Sequence, residues 1–228
     1  MKILVSWSSG KDSAWMLHEL RQAQPESVGG LLTTLNQAAN RVAMHAVRDE
    51  LLQAQADAAA LPVWRVPLPW PCSNEEYERL MADVLRRARA EGFTHVAFGD
   101  LFLEDVRRYR ETRMAGTGLE PLFPLWQRPT DRLAREMLAG GLGARLTCVD
   151  PRVLDRAFAG RDYDAALLAA LPEGIDPCGE RGEFHTFAYA GPMFRAPIAV
   201  ETGETVERDG FVFTDLHLMK SIHEGRED

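Results

Sequence analysis

Short apolar runs at residues 2–7, 28–35 ("VGGLLTTL"), 63–67 ("VWRVP") and 94–98 ("THVAF") alternate with helical patterns over 12–23, 44–60 and 74–91. No other feature restricts the fold as much. A helix between two strands carries the chain back to the same end of the sheet, so successive strands pair in parallel. Parallel sheets are covered on both faces, which explains why the runs are apolar throughout. The third helix opens with Ser73 and Glu76 at capping-box spacing. The expected fold class is α/β, a parallel twisted sheet with helices on both faces.

Beyond residue 100 the pattern changes. A helix over 103–115 stops at Gly116-Thr117-Gly118, and "PLFPLW" (121–126) reads as a connector or short strand. A helix over 130–139, a strand over 144–149 and a helix over 162–170 follow. The tail segments "EFHTFAYAG", "MFRAPIAV" and "ETVERDGFVFTDLHL" alternate or run apolar, with Asp209-Gly210 as a hairpin turn. We therefore expect one unit over 1–125 and a smaller α+β unit over 126–228, closely packed because no linker separates them.

The first strand leads into "SWSSGKDSAW", residues 6–15. Strand, small-residue loop and helix start form an anion site, because unpaired N–H groups and the helix dipole point the same way. This is not a Walker A loop. Val5 stands where that motif needs glycine, and Asp12 replaces the hydroxyl residue after the lysine.

A net charge of −8 over 228 residues leaves no basic excess for nonspecific nucleic-acid binding. No run of about 18 apolar residues exists for a membrane span, and the loop comes too early for a signal peptide. Cys72, Cys148 and Cys178 are widely spaced and read as reduced thiols of a cytoplasmic protein. Only Lys2, Lys11 and Lys220 of the 26 basic residues are lysine. That bias implies a GC-rich, bacterial genome, and it makes the lysine in the loop a specific choice.

Ser8-Ser9-Gly10-Lys11-Asp12-Ser13 resembles the S-G-G-x-D-S PP-loop of the ATP pyrophosphatases. Ser9 replaces the first glycine, which is compatible with a residue that needs no positive φ. A second segment, "DPCGERGEFHTF" (176–187), resembles the C-G-E-x-G-E-[FY]-H-T signature of the diphthine–ammonia ligase family. "VAFGD" (96–100), "PLFPLW" and "GPMFRAPI" (191–198) fit that family in order and at similar spacing, so the resemblance covers nearly the whole chain. It implies a HUP or PP-loop, Rossmann-like fold and an adenine nucleotide alpha hydrolase-like ATP site.

On this resemblance Ser8, Ser9, Gly10, Lys11, Asp12, Ser13, Thr34, His45, Gly99 and Asp100 are expected to bind ATP, with Asp12 and Asp100 on Mg²⁺. Lys11, Glu180, Glu183, His185 and Thr186 are the expected catalytic set. Read from the residues alone, Glu180 and Glu183 offer metal ligands or proton acceptors on a glycine-flexed backbone, and His185 a proton shuttle. The bland alternative is a glycine turn before a strand. Arg107 and Arg110, three apart on one helix, read as a solvated face rather than a phosphate site.

The resemblance implies adenylation of a substrate carboxylate and its amidation by ammonia, with release of AMP and pyrophosphate. The family's own acceptor is a modified histidine on an archaeal or eukaryotic elongation factor. A bacterial chain would act on another carboxylate, on a small molecule or a protein. A homo-oligomer is compatible with all of this. Two alternatives stand: an RNA-thiolating PP-loop enzyme, which needs a reactive cysteine near the site, and a non-catalytic adenine-nucleotide sensor.

Overall fold

The structure, a computed structural model, describes residues 1–42 and 46–219. The first half runs β1 (Ile3–Ser6), α1 (Lys11–Ala23), β2 (Val28–Asn36), β3 (Arg41–Val42), α2 (Asp49–Ala59), β4 (Val63–Leu68), α3 (Asn74–Ala90), β5 (His95–Ala97), α4 (Glu104–Met114) and β6 (Glu120–Leu122). Its strands stand in the order β4-β2-β1-β5-β6, all parallel, while β3 pairs antiparallel with the end of β2. The chain builds outward from β1 to β2 and β4, then crosses back to β5 and β6. Strand order therefore reverses between β1 and β5, and the crevice beyond their carboxyl ends is where such sheets bind ligands.

Side-chain alternation fixes which helix covers which face. Ile3, Val5, Leu31, Leu35 and Ala97 pack with α1 and α2, whereas Leu4, Leu32, Trp64, Val66, Val96 and Phe98 pack with α3 and the end of α4. The α/β expectation is met. Ser73 Oγ accepts from the Glu76 amide at 3.1 Å, as capping requires. The Glu76 carboxylate turns instead to Arg79, so only half of the box forms.

The second half runs α5 (Thr130–Ala139), β7 (Gly143–Val149), α6 (Ala165–Ala170), β8 (Phe184–Ala190), β9 (Val200–Arg208) and β10 (Phe211–Leu218). It forms a four-stranded antiparallel sheet in the order β8-β7-β10-β9. Phe184, Phe187 and Ala188 of β8 belong to the same apolar cluster as α1 and α2, so one core runs through both halves. Buried Gln55 of α2 stitches the seam: its Nε2 donates to Ser9 O at 2.9 Å and to Ala188 O at 2.7 Å, while its Oε1 accepts from Trp7 Nε1 at 2.9 Å.

Three segments depart from the sequence reading. The helix expected over 44–60 begins at Asp49, and residues 43–45 lie outside the described residues. The helix expected over 162–170 begins only at Ala165, where Asp164 caps it through the Leu167 amide. The apolar run "MFRAPIAV" is a chain of turns until β9. Met193, Phe194 and Ile198 plug the core there, held by Arg195 N on Ala58 O at 2.8 Å and Ile198 N on Tyr189 O at 2.7 Å. Its apolar character serves packing rather than a ladder, and Pro197 has no N–H to donate to one.

Ser9 overturns a further expectation. Its φ is +70°, so this position does occupy the left-handed region that glycine prefers. The Ser9 carbonyl is pinned by Gln55 and by the Ala188 amide at 2.9 Å, and its buried Oγ has no hydrogen-bond partner among the described residues. Relief of that backbone strain, set against the greater freedom of the unfolded chain, predicts that Ser9→Gly stabilises the fold by about 1 kcal/mol. A higher urea midpoint at unchanged m-value is the expected result.

Asp215 of β10 ties the second sheet to the first half. It accepts from Arg41 Nη1 at 2.7 Å and Arg48 Nε at 3.1 Å. Partial burial works to raise this carboxyl, but the two guanidinium groups hold it well below the ordinary carboxylate range. A carboxyl whose pKa is depressed on folding adds stability above its unfolded pKa of about 4, and that stability is lost as pH falls. Asp215→Asn should therefore unfold more easily at pH 7 yet lose less stability than the wild type on acidification, a difference that urea titrations across pH 3–7 measure.

Candidate active site

A cleft of about 530 Å³ opens at the carboxyl ends of β1 and β5. Of the residues expected from sequence, Ser8, Lys11, Asp12, Ser13, Thr34, Gly99, Asp100, Glu180, His185 and Thr186 all line it. The loop after β1 and the segment before β8 thus face one space, although 167 residues separate Lys11 from Cys178. Ser9, Gly10 and Glu183 do not line the cleft, and His45 lies outside the described residues.

The loop is held by its own hydroxyls. Ser8 Oγ lies 3.2 Å from Ser13 Oγ, Gly10 N donates to Ser8 Oγ at 3.3 Å, and Ser13 Oγ donates to Gly10 O at 3.0 Å. Gly10 caps α1 in extended backbone. Gly99 abuts the loop so closely that a Cβ there would meet Asp12 C and Ser13 N at 3.4 Å. That contact sets Asp100 beside the start of α1.

Lys11 is 2% exposed and leans away from solvent toward the second segment. Its Nζ donates to Cys178 O and meets Asp12 Oδ1 and Oδ2 at 3.0 and 2.8 Å, so partners are present for its donors. The rings of Tyr163 and Phe184 flank it, each centroid 5.6 Å away. Burial works to lower the ammonium, but Asp12, Cys178 and Glu180 together hold it above its ordinary value. The Lys11 amide in turn donates to Thr186 Oγ1 at 3.0 Å, giving the helix start a cap from β8.

The segment 176–183 is a tight turn braced by two acids. Glu183, 5% exposed, accepts the Asp176 amide at 3.1 Å through Oε1 and the Arg181 amide at 2.9 Å through Oε2. Asp176 Oδ2 accepts the Glu180 amide at 2.9 Å. Gly179 has φ +68°, and a Cβ on it would strike Phe184 O at 2.8 Å. This turn aims Glu180 into the cleft, where its Oε1 accepts the Leu101 amide at 2.7 Å. Burial pushes the Glu180 carboxyl up to about 7, opposed by that amide and reinforced by Asp12 and Asp100.

Further residues line the cleft: Arg110 of α4, and, without a sequence signal, Tyr77 of α3 and Tyr109 and Arg113 of α4. Arg110 corrects the solvated-face expectation, since its guanidinium lies over the Phe98 ring and its Nε is 3.6 Å from Asp100 Oδ2. Arg107 is about as buried as Arg110 but does not line the cleft; it pairs with Glu111 at 2.7 Å over the rings of Phe123 and Trp126. Helical spacing alone cannot tell which side of a polar helix meets a cleft.

Asp100 fits a Mg²⁺ ion that arrives with phosphates. Its buried Oδ2 has no hydrogen-bond partner among the described residues, and Mg²⁺ commonly uses one or two carboxylates plus phosphate and water. Asp12 fits less well, because Lys11 occupies both of its oxygens. Among the described residues no cluster of three or more His, Cys, Asp or Glu forms a dedicated metal cage. No described helix is long and apolar enough to cross a membrane.

The family model described as diphthamide synthase N-terminal domain matches residues 1–120, and that of the diphthamide synthase C-terminal domain matches residues 129–221. The diphthine–ammonia ligase of Bos taurus is 27% identical over 255 residues, spanning 100% of this chain and 93% of its own length. The human enzyme of the same name is 28% identical over 257 residues, spanning 97% and 94%. Both matched segments contribute walls to the one cleft, and with the relatives aligned end to end the chain belongs to the diphthamide synthase family.

Proposed function

We propose that the chain is an ATP-dependent carbon–nitrogen ligase that adenylates a carboxylate and amidates it with ammonia. The observation that carries this reading is the meeting, in one cleft, of the 8–13 loop with Glu180, His185 and Thr186. The Asp12–Ser13 end of the loop, at the start of α1, holds the β,γ-phosphates of ATP, and Thr34 and Gly99 border the nucleoside. The acceptor carboxylate attacks the α-phosphorus, the Pα–O–Pβ bond breaks, and pyrophosphate leaves. Ammonia then attacks the acyl carbon of the mixed anhydride, its proton passes to Glu180, and AMP departs with the electron pair of the broken C–O bond. Asp100 would hold Mg²⁺, which would supply charge neutralisation on the phosphates.

Each side chain has a defined part. Glu180 serves as proton acceptor because burial sets its carboxyl near neutrality, where a base is most effective. Lys11 and Glu183 are positioning residues: Lys11 ties the phosphate loop to Cys178 O, and Glu183 shapes the turn that presents Glu180. His185 stands at the same wall as a second proton carrier. Alignment of the reactants supplies much of the remaining rate.

The thiolation alternative is less well supported. Burial pushes the Cys178 thiol up to about 12, and its Sγ donates to Thr130 O at 3.5 Å. A pure sensor has no use for an acid poised near neutrality beside the phosphate loop. The acceptor is a carboxylate of the diphthine type, as the relatives' name favours, or another carboxylate borne by a small molecule or a protein.

Chromatography of nucleotides after incubation with ammonium and a diphthine-bearing protein or a panel of small carboxylic acids tests the chemistry. AMP and pyrophosphate are expected, and ADP as the main product would refute it. The two glutamates should separate. Glu180→Gln should keep ATP affinity and stability while removing the step near pH 7 from amidation rates that are expressed per free ammonia. Glu183→Gln should destabilise the fold by about 1–3 kcal/mol, since one amide then loses its acceptor in a buried turn. Denaturation curves and pH–rate profiles of both variants read this directly.

A further inference from the structure

Two buried atoms in the cleft wall lack the partners that buried polar groups almost always have. Asp100 Oδ2 and Arg110 Nε are each shielded from solvent with no hydrogen bond among the described residues, and they stand 3.6 Å apart. They sit too far apart to satisfy each other and close enough to share an incoming group.

The cleft's charges narrow what that group is. Asp12, Glu78, Asp100 and Glu180 line it, and the lysine and arginines that line it are Lys11, Arg110 and Arg113. Lys11 is taken by Asp12 and Cys178 O, and Arg113, half exposed, pairs with Glu78 at the cleft's edge. Among the described residues, a polyphosphate entering this acidic space therefore meets in Arg110 a cation whose buried Nε has no partner. Phe98 lies beneath the guanidinium, 5.0 Å from ring centroid to Cζ, and sets its plane. Asp100 anchors it beside Gly99, which touches the loop backbone at Asp12 and Ser13.

We propose that Arg110 is a phosphate ligand, which turns its unpartnered guanidinium Nε from beside Asp100 onto anionic oxygens of the loop-bound phosphates. This rests on the reading of the cleft as a nucleotide site and adds a residue to it. Charge-assisted bonds from a planar guanidinium suit phosphate oxygens, and they favour the polyphosphate over the nucleoside monophosphate. Release of Asp100 in the same movement frees its carboxylate for a second role.

Calorimetry with ATP, inorganic pyrophosphate and AMP, with and without magnesium, tests this on the wild type, Arg110→Met, Arg110→Lys and Arg107→Met. Arg110→Met should weaken ATP and pyrophosphate about tenfold or more and change AMP far less. Arg107→Met removes the same charge from the same helix outside the cleft, and it should leave all three affinities unchanged. Arg110→Lys should fall between wild type and Arg110→Met, and it carries the test if the methionine variant fails to fold. Wild-type affinity for ATP and pyrophosphate in both Arg110 variants would overturn the proposal and point to the acceptor carboxylate as the partner of that guanidinium. Equal losses in Arg107→Met and Arg110→Met would overturn it in favour of a general field effect. If the wild type binds none of the three compounds, the nucleotide reading falls and the proposal falls with it.

Discussion

The Ser9 carbonyl is the point on which this structure turns. Two donors from opposite directions hold it, the Ala188 amide at 2.9 Å and Gln55 Nε2 at 2.9 Å. Gln55 also reaches Ala188 O and the Trp7 indole, so a single buried amide fixes the end of β1, the loop, α2 and β8 together. A buried network of this kind stabilises only when every member is satisfied. The left-handed backbone at Ser9 persists because those bonds determine it, and the direction in which α1 leaves the loop follows from it.

The cleft inherits its electrostatics from that arrangement. With Lys11 drawn toward Cys178 O, the loop's own ammonium neutralises Asp12 and steadies the turn instead of meeting solvent. Acids then outnumber unspent cations along the walls. Burial and mutual repulsion leave Glu180 close to neutrality, while Asp100 is raised by burial against the pull of Arg110. The same crowding that makes these groups costly to bury makes them responsive to an arriving charge.

Much of this was legible in sequence because the signals were local. Alternating apolar runs and helical patterns predict the parallel sheet, and a small-residue loop between strand and helix marks the anion site. The segment around Glu180 stood out because two acids and a histidine share one glycine-rich turn. What sequence spacing could not give is the direction of side chains fixed by distant partners. Glu183 reads like Glu180 in the chain, yet its oxygens meet the amides of its own turn while those of Glu180 reach Leu101. Arg107 and Arg110 are equivalent by spacing, and only the packing of α4 against Phe98 separates them. The positive φ at Ser9 depends on Gln55 and Ala188, 46 and 179 positions away by residue number, so nothing nearby announces it.

One apolar cluster passes from the face of β1, through α1 and α2, into β8 without a break. The segments before and after residue 125 are distinct in strand pattern, but each completes the other's interior. Cooperativity follows from shared interior rather than from topology. Opening the seam would bare Phe187 and the flank of α1 to water at once, and it would strand the amide of Gln55 without acceptors. Heat should therefore melt both sheets, and the cleft that both line, in one calorimetric transition.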